Sequence, residues 1–225
     1  MSNLNRKRIF TLHTITALKN LSMKKLLQFL LVLSLPALSF HGAMAQRYLS
    51  PIFPSASVTP DVVYANNIQV LTGTPTAVDL KTDIYQPAGA VDPLSQRPLV
   101  IILHTGSFLP PVINGSPNGA RRDSNIVFTC TELAKRGYVA AAVSYRLGWN
   151  PAATGAAGQD IRTGTLLQAV YRAMQDAKSS VRFFKANAST YGIDTTKIIM
   201  GGYGSGGYVA LACATVDKTI EINLP

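Results

Sequence analysis

The residues able to do chemistry concentrate in one short stretch, Gly201-Gly202-Tyr203-Gly204-Ser205-Gly206-Gly207, directly after the apolar run Ile198-Ile199-Met200. Glycines at a strand-to-helix turn serve two kinds of chemistry. One is the nucleophile elbow, G-x-S-x-G, whose turn is so sharp that the nucleophile takes strained backbone angles and small flanking residues relieve the crowding. The helix N-terminus and nearby backbone N–H groups then stabilise an oxyanion. With Gly202 and Gly206 as flanks, the nucleophile position falls on Gly204, which has no side chain. With Ser205 as nucleophile, the flanks become Tyr203 and Gly207, and a large ring stands where a small residue is wanted.

The other use is the dinucleotide fingerprint G-x-G-x-x-G, matched by Gly202, Gly204 and Gly207, with Glu221 near the place of the ribose-binding acid. Such a fingerprint normally opens its domain, whereas this one comes late in the chain. It remains an alternative reading.

A strand must deliver this turn and a helix must leave it. Asn67–Leu71 and Val78–Tyr85 alternate apolar with polar residues around Gly73-Thr74-Pro75, which predicts an antiparallel hairpin. Residues 46–66, rich in Pro and Ser, read as an extended lead-in. Pro98–Leu103 is a continuous apolar run, as expected of a strand buried on both faces. Residues 104–122 form a long loop of the kind that is usually functional. A helix capped by Asp123 or Ser124 runs to Arg136 and is stopped by Gly137. Tyr138–Tyr145 is a second buried strand. Apolar residues at 166, 170, 173, 177, 181 and 184 predict a helix over 162–187. Residues 191–194 read as a turn, 197–201 as a third strand and 206–215 as a helix. Alternating strands and helices make a parallel sheet, with 98–103 expected in the middle. The helix at 124–136 should lie on one face and those at 162–187 and 206–215 on the other. Cys130 and Cys213 then sit on opposite faces, beyond the reach of a disulfide, and are expected to be free thiols.

Four segments together, LVIILHTGS (99–107), KRGYVAAAVSYR (135–146), YRAMQDAKSSVRFF (171–184) and YGIDTTKIIMGGYGSGGYVAL (191–211), resemble the α/β-hydrolase superfamily. The similarity is to its secreted esterase/lipase branch, which includes carboxylesterases, and covers residues 67–215. It implies an α/β fold: a partial α/β-hydrolase sheet, mostly parallel, with an N-terminal antiparallel hairpin and helices on both faces. It also implies acyl-ester hydrolysis through an acyl-enzyme and no cofactor. The family's His-Gly-Gly loop corresponds to His104-Thr105-Gly106-Ser107, with Thr105 in place of a glycine. By that match Gly106 and Ser107 donate to the oxyanion, together with the N–H after the nucleophile, which is Gly206 if Ser205 attacks. His104, Thr105, Trp149 and Tyr203 are the expected pocket residues, with His104 holding the loop rather than acting as base.

The departures from that family bear on activity. Its acid and general-base histidine follow the nucleophile, but the histidines here are His13, His41 and His104, and the later acids are Asp217 and Glu221. Two explanations stand open: a hydrolase domain over 67–225 incomplete at its C-terminus, or a lineage that abandoned the serine mechanism. Gly204 favours the second, because a mere fragment would keep its nucleophile. A non-catalytic binding or structural module on the same fold is the rival function.

Met23-Lys24-Lys25, the apolar run to Leu35, Pro36 and Ala43-Met44-Ala45 have the form of a secretory signal peptide cleaved after Ala45, with Met23 a possible start. Residues 1–45 are thus an N-terminal extension plus leader, and the protein is expected to be secreted or periplasmic. The apolar run is too short for a stable membrane span. The chain has 225 residues and a net charge of +10, from 21 basic and 11 acidic residues. Six of the basic residues fall in 1–45, which holds no acid, so most of the excess is not a feature of a folded surface and nucleic-acid binding is not expected. With 47% hydrophobic residues and two cysteines, the chain is neither disordered nor a disulfide scaffold.

Trp149 either lines a cleft beyond the strand ends or anchors its loop. Arg121 and Arg122 read as a solvated pair rather than an anion site. The sequons at Asn114 and Asn187 read as chance matches in a chain with a bacterial-type leader. No spacing of His and Cys suggests a metal.

Overall fold

The computed structural model describes residues 46–70 and 74–216. The expected leader at 1–45, with His13 and His41, Gly73 of the hairpin turn, Asp217 and Glu221 lie outside the described residues. The chain divides into two units, Met1–Arg47 and Tyr48–Pro225, and every element below belongs to the second.

In chain order the elements are β1 (Ser55–Gln69), β2 (Thr76–Ala88), β3 (Arg97–Leu103), a one-turn helix α1 (Pro111–Asn114), α2 (Ser124–Lys135), β4 (Val139–Val143), α3 (Gly158–Ala186), a second short helix α4 (Ala188–Tyr191), β5 (Ile193–Gly202) and α5 (Ser205–Thr215). The five strands form a mixed sheet in the order β1-β2-β4-β3-β5. β3 is parallel to both neighbours, β4 and β5, as its place in the middle of the three requires. β2 joins β4 antiparallel and carries β1 as an antiparallel edge.

The hairpin is longer than the alternation at 67–71 and 78–85 predicts. Residues 55–66, expected as lead-in, are most of β1, and this is a correction. The cause of the weak signal is visible. Pro60 interrupts the pattern, the register shifts between Thr59 and Val62, and Asp61 takes φ 58°. An edge strand tolerates a proline and a bulge that a central strand would not. The turn expected at 191–194 is likewise shorter, because β5 begins at Ile193, straight after the left-handed Gly192.

The period-2 alternation of the central strands builds two cores. Leu99, Ile101, Leu103, Val139, Ala141 and Val143 face α3 and α5, where they meet Ala173, Ala177, Phe184 and Val209. Val100, Ile102, Ala140 and Ala142 face α2 and meet Ile126, Cys130 and Ala134. β4 is buried along its whole length, with alanines at its three middle positions. Cys130 and Cys213 are free and belong to opposite layers, as expected.

Arg121 and Arg122 are not a solvated pair. Both bond Asp61 and Asp83, and Asp83 is 2% exposed. Burial pushes the Asp83 carboxyl up, but hydrogen bonds from Arg122, the Asp61 N–H and Arg121 outweigh it and hold the group below the usual carboxylate range. The pair thus ties the loop before α2 to the sheet. Deeper in the fold, Arg146 and the fully buried Asp176 of α3 are joined by a bidentate bond, at 2.8 to 3.0 Å, that fixes the chain leaving β4.

Candidate active site

The parallel strands β3 and β5 end side by side, Leu103 pairing with Gly202, and the loops beyond them form the site. β5 turns into α5 through Gly204, whose φ of 51° and ψ of −120° lie where a residue with a side chain is strained. The turn is pressed against the end of β3: Tyr203 N–H donates to the Leu103 carbonyl at 3.0 Å. A Cβ on Gly202 would lie 2.5 Å from the Gly206 carbonyl carbon, and one on Gly206 would lie 2.4 Å from the Leu103 oxygen. Neither position admits a side chain. A Cβ on Gly207 would come no closer than 3.3 Å to anything. The crowded pair is therefore Gly202 and Gly206, and the residue between them at the exposed tip is Gly204.

Ser205 is the first residue of α5 and is buried. Its hydroxyl points into the fold, 3.2 Å from the Tyr145 hydroxyl, which itself donates to the His104 carbonyl at 2.8 Å. With the tyrosine proton committed there, the Ser205 O–H is the donor to Tyr145. Burial pushes the Tyr145 phenol up to about 12, so it stays protonated.

The loop after β3 faces this turn. His104 is 2% exposed, stacks on the Tyr145 ring with centroids 4.5 Å apart, and donates from Nδ1 to the Thr105 carbonyl at 2.6 Å. Burial pushes the imidazole below its ordinary range, and the hydrogen bond to Thr105 offsets only part of that. Gly106, Ser107 and Phe108 all have positive φ, at 119°, 53° and 59°. Three side-chain or backbone donors hold this strained path: Asn114 Nδ2 to the Gly106 carbonyl at 3.1 Å, Trp149 Nε1 to the Ser107 carbonyl at 2.8 Å, and Gly148 N–H to the Phe108 carbonyl at 2.7 Å. Among the described residues nothing accepts the N–H groups of Gly106, Ser107 and Ser205.

The BD-FAE family model, which describes an α/β-hydrolase-type family, matches residues 82–224, more than half of the chain. The chain belongs to the BD-FAE family. Solved structures similar to it include a thermophilic esterase, esterase 2, from the Planctomycetes species Thermogutta terrifontis. Its propionate-bound form is 27% identical, with a TM-score of 0.46 and coverage of 72% of this chain and 46% of that one. Its native form is 26% identical at the same TM-score of 0.46, covering 75% and 47%. The chain thus spans about half the length of the solved structures it matches. No curated protein matches it.

In this BD-FAE chain the expected site residues fall as follows. Gly106 and Ser107 lie on the loop after β3, and their N–H groups have no acceptor among the described residues. The Gly206 N–H is already engaged, donating to the Tyr203 carbonyl at 2.9 Å, whereas that of Ser205 has no acceptor among the described residues. Ser205 is not the hydroxyl at the tip, because residue 205 has already entered the helix and turned inward. Tyr203 leans away toward α2, its hydroxyl 2.7 Å from Thr129 Oγ1. Trp149 anchors the Ser107 carbonyl and lines a cavity of about 400 Å3 with Val70, Asn150, Thr165, Gln168 and Arg172. Sequence reasoning missed Asn114, whose amide braces the oxyanion loop, and the Ser205–Tyr145–His104 chain. No group of three or more His, Cys, Asp or Glu among the described residues forms a metal site, and no helix among them is long and apolar enough to cross a membrane.

Proposed function

We propose that this protein is an exported scaffold of the ester-hydrolase type whose pocket takes a small acyl ester or its acyl fragment, and which forms no acyl-enzyme. The observation that carries the reading is Gly204 at the tip of the elbow, with φ 51° and ψ −120°, between two glycines that cannot be replaced. The geometry of a nucleophile elbow is kept while the nucleophile is absent. The N–H groups of Gly106, Ser107 and Ser205 support recognition of a carbonyl or carboxylate oxygen. Export is supported by the basic, apolar and small-residue pattern of residues 23–45.

Acyl-ester hydrolysis by this family's route needs a hydroxyl whose proton is taken by a base. Ser205 instead donates its proton to Tyr145, which is protonated and cannot accept it fully. Treatment of the full chain with a fluorophosphonate, followed by intact-mass measurement, tests the reading. The expected result is no adduct. A stoichiometric adduct on Ser205 would overturn it.

A further inference from the structure

Apart from the residues adjoining it in the chain, the three atoms nearest to a Cβ built on Gly204 all belong to Thr105: Oγ1 at 2.2 Å, Cβ at 3.2 Å and Cα at 3.9 Å. The tip itself is exposed, and the nearest obstacle to a side chain there is this threonine. Thr105 is the residue that stands in the oxyanion loop where a glycine is expected. Its hydroxyl therefore occupies the volume through which a nucleophile's side chain would leave the backbone.

Neither side can retreat far. The elbow is fixed by the contacts of Gly202 and Gly206 with the backbone around Leu103. The loop is fixed by Asn114, Trp149 and Gly148, and behind Gly106 the Gly119 Cα would lie 2.8 Å from an added Cβ. Turning Thr105 about χ1 brings its methyl group to that place, or a hydrogen only by giving up the present rotamer; alanine at 105 leaves a Cβ–Cβ approach of 3.2 Å, which a shift of a few tenths of an ångström relieves.

We infer that Thr105 and Gly204 are a coupled pair: the threonine has taken the nucleophile's place over the elbow, so that a side chain at 204 strains the fold while the threonine stands there and is accommodated when 105 is cut back to alanine. The inference rests on reading Gly204 as the elbow tip. It adds that the missing nucleophile is excluded by a second residue 99 positions earlier, and that the hydroxyl presented at the tip is that of Thr105. Reversing Gly204 to serine alone does not rebuild the site; Thr105 must change with it.

A double-mutant cycle on the full chain tests this through unfolding equilibria, independently of any ester activity. Gly204→Ala carries a backbone cost from its positive φ in every background, and the cycle cancels it. The unfolding penalty of Gly204→Ala should be about tenfold larger, as an equilibrium constant, with Thr105 present than in Thr105→Ala. In Thr105→Val, which keeps the volume, the penalty should stay as large as in the parent. If Gly204→Ala alone does not fold, the Thr105→Ala double variant should. Equal penalties in the threonine and alanine backgrounds, a double variant that also fails to fold, or a penalty that vanishes in Thr105→Val would overturn the inference. Ester turnover by the parent chain would overturn the functional reading and leave this cycle untouched.

Discussion

The hydroxyl of Ser205 lies 3.2 Å from that of Tyr145, inside the fold and away from the exposed turn at Gly204. The elbow's serine is thereby a clip between α5, the end of β4 and the His104 carbonyl. Ser205→Ala should cost about 1 kcal/mol in denaturant unfolding, the net worth of one buried neutral hydrogen bond. Tyr145→Phe should cost more, about 1–3 kcal/mol, because it also leaves the His104 carbonyl without its donor. The order of the two variants is the check. A larger loss for Ser205→Ala would mean that the tyrosine hydroxyl does not join the chain.

Gly206 and Gly207 should respond oppositely to alanine. A Cβ on Gly206 meets the Leu103 and His104 carbonyls at 2.4 and 2.6 Å, so Gly206→Ala should unfold the protein or cost more than about 3 kcal/mol. Gly207 lies within α5, where alanine is favoured over glycine by about 1 kcal/mol, and its nearest contact of 3.3 Å roughly offsets that gain. Gly207→Ala should therefore stay within about 1 kcal/mol of the parent. The thermal midpoints of the two variants separate the elbow register from a dinucleotide fingerprint, which would need Gly207 and not Gly206.

His104 should make stability fall on acidification. Its folded-state pKa is pushed below the ordinary 6.5 by burial, so the unfolded chain binds more protons in the window between the two values. Stability is then full above about 6.5 and is lost as the pH drops below it, until the lowered folded value is reached. His104→Asn keeps a donor near the place of Nδ1 and cannot titrate. Urea midpoints at pH 7.5 and 5.5 should differ less for the variant than for the parent; an equal difference would show that the imidazole is not kept neutral by the fold. The Asp83 carboxyl, also held low, contributes its own loss only below its ordinary 3.8 and does not overlap this window.

The central strands and the covering helices were legible because each rests on local periodicity, and the middle place of 98–103 among the parallel strands followed from crossover handedness; the antiparallel pairing of β2 with β4 was not readable. Leu99–Leu103 and Val139–Val143 are apolar throughout because both faces are covered, and α3 shows its buried stripe at helical spacing. β1 was half legible, since an edge strand carrying Pro60 and a bulge has no single buried face to impose alternation. At the site, the glycine spacing narrowed the tip to Gly204 or Ser205, and the crowding of Gly202 and Gly206 against the end of β3 chose Gly204. The inward turn of Ser205 was not readable. It depends on Tyr145, 60 residues earlier, just as the space over Gly204 depends on Thr105. Contacts between the ends of separate strands leave no periodic trace in either segment.

The claim that the elbow lacks its nucleophile is tested most directly by p-nitrophenyl butyrate hydrolysis by the purified full chain, measured beside Ser205→Ala. A serine hydroxyl without an adjacent base is a poor nucleophile, and loss of a triad member lowers turnover by at least about 10⁴-fold. Turnover should stay at the background rate, unchanged by Ser205→Ala. Enzymatic turnover that disappears in Ser205→Ala would contradict it, and would make Ser205 the nucleophile.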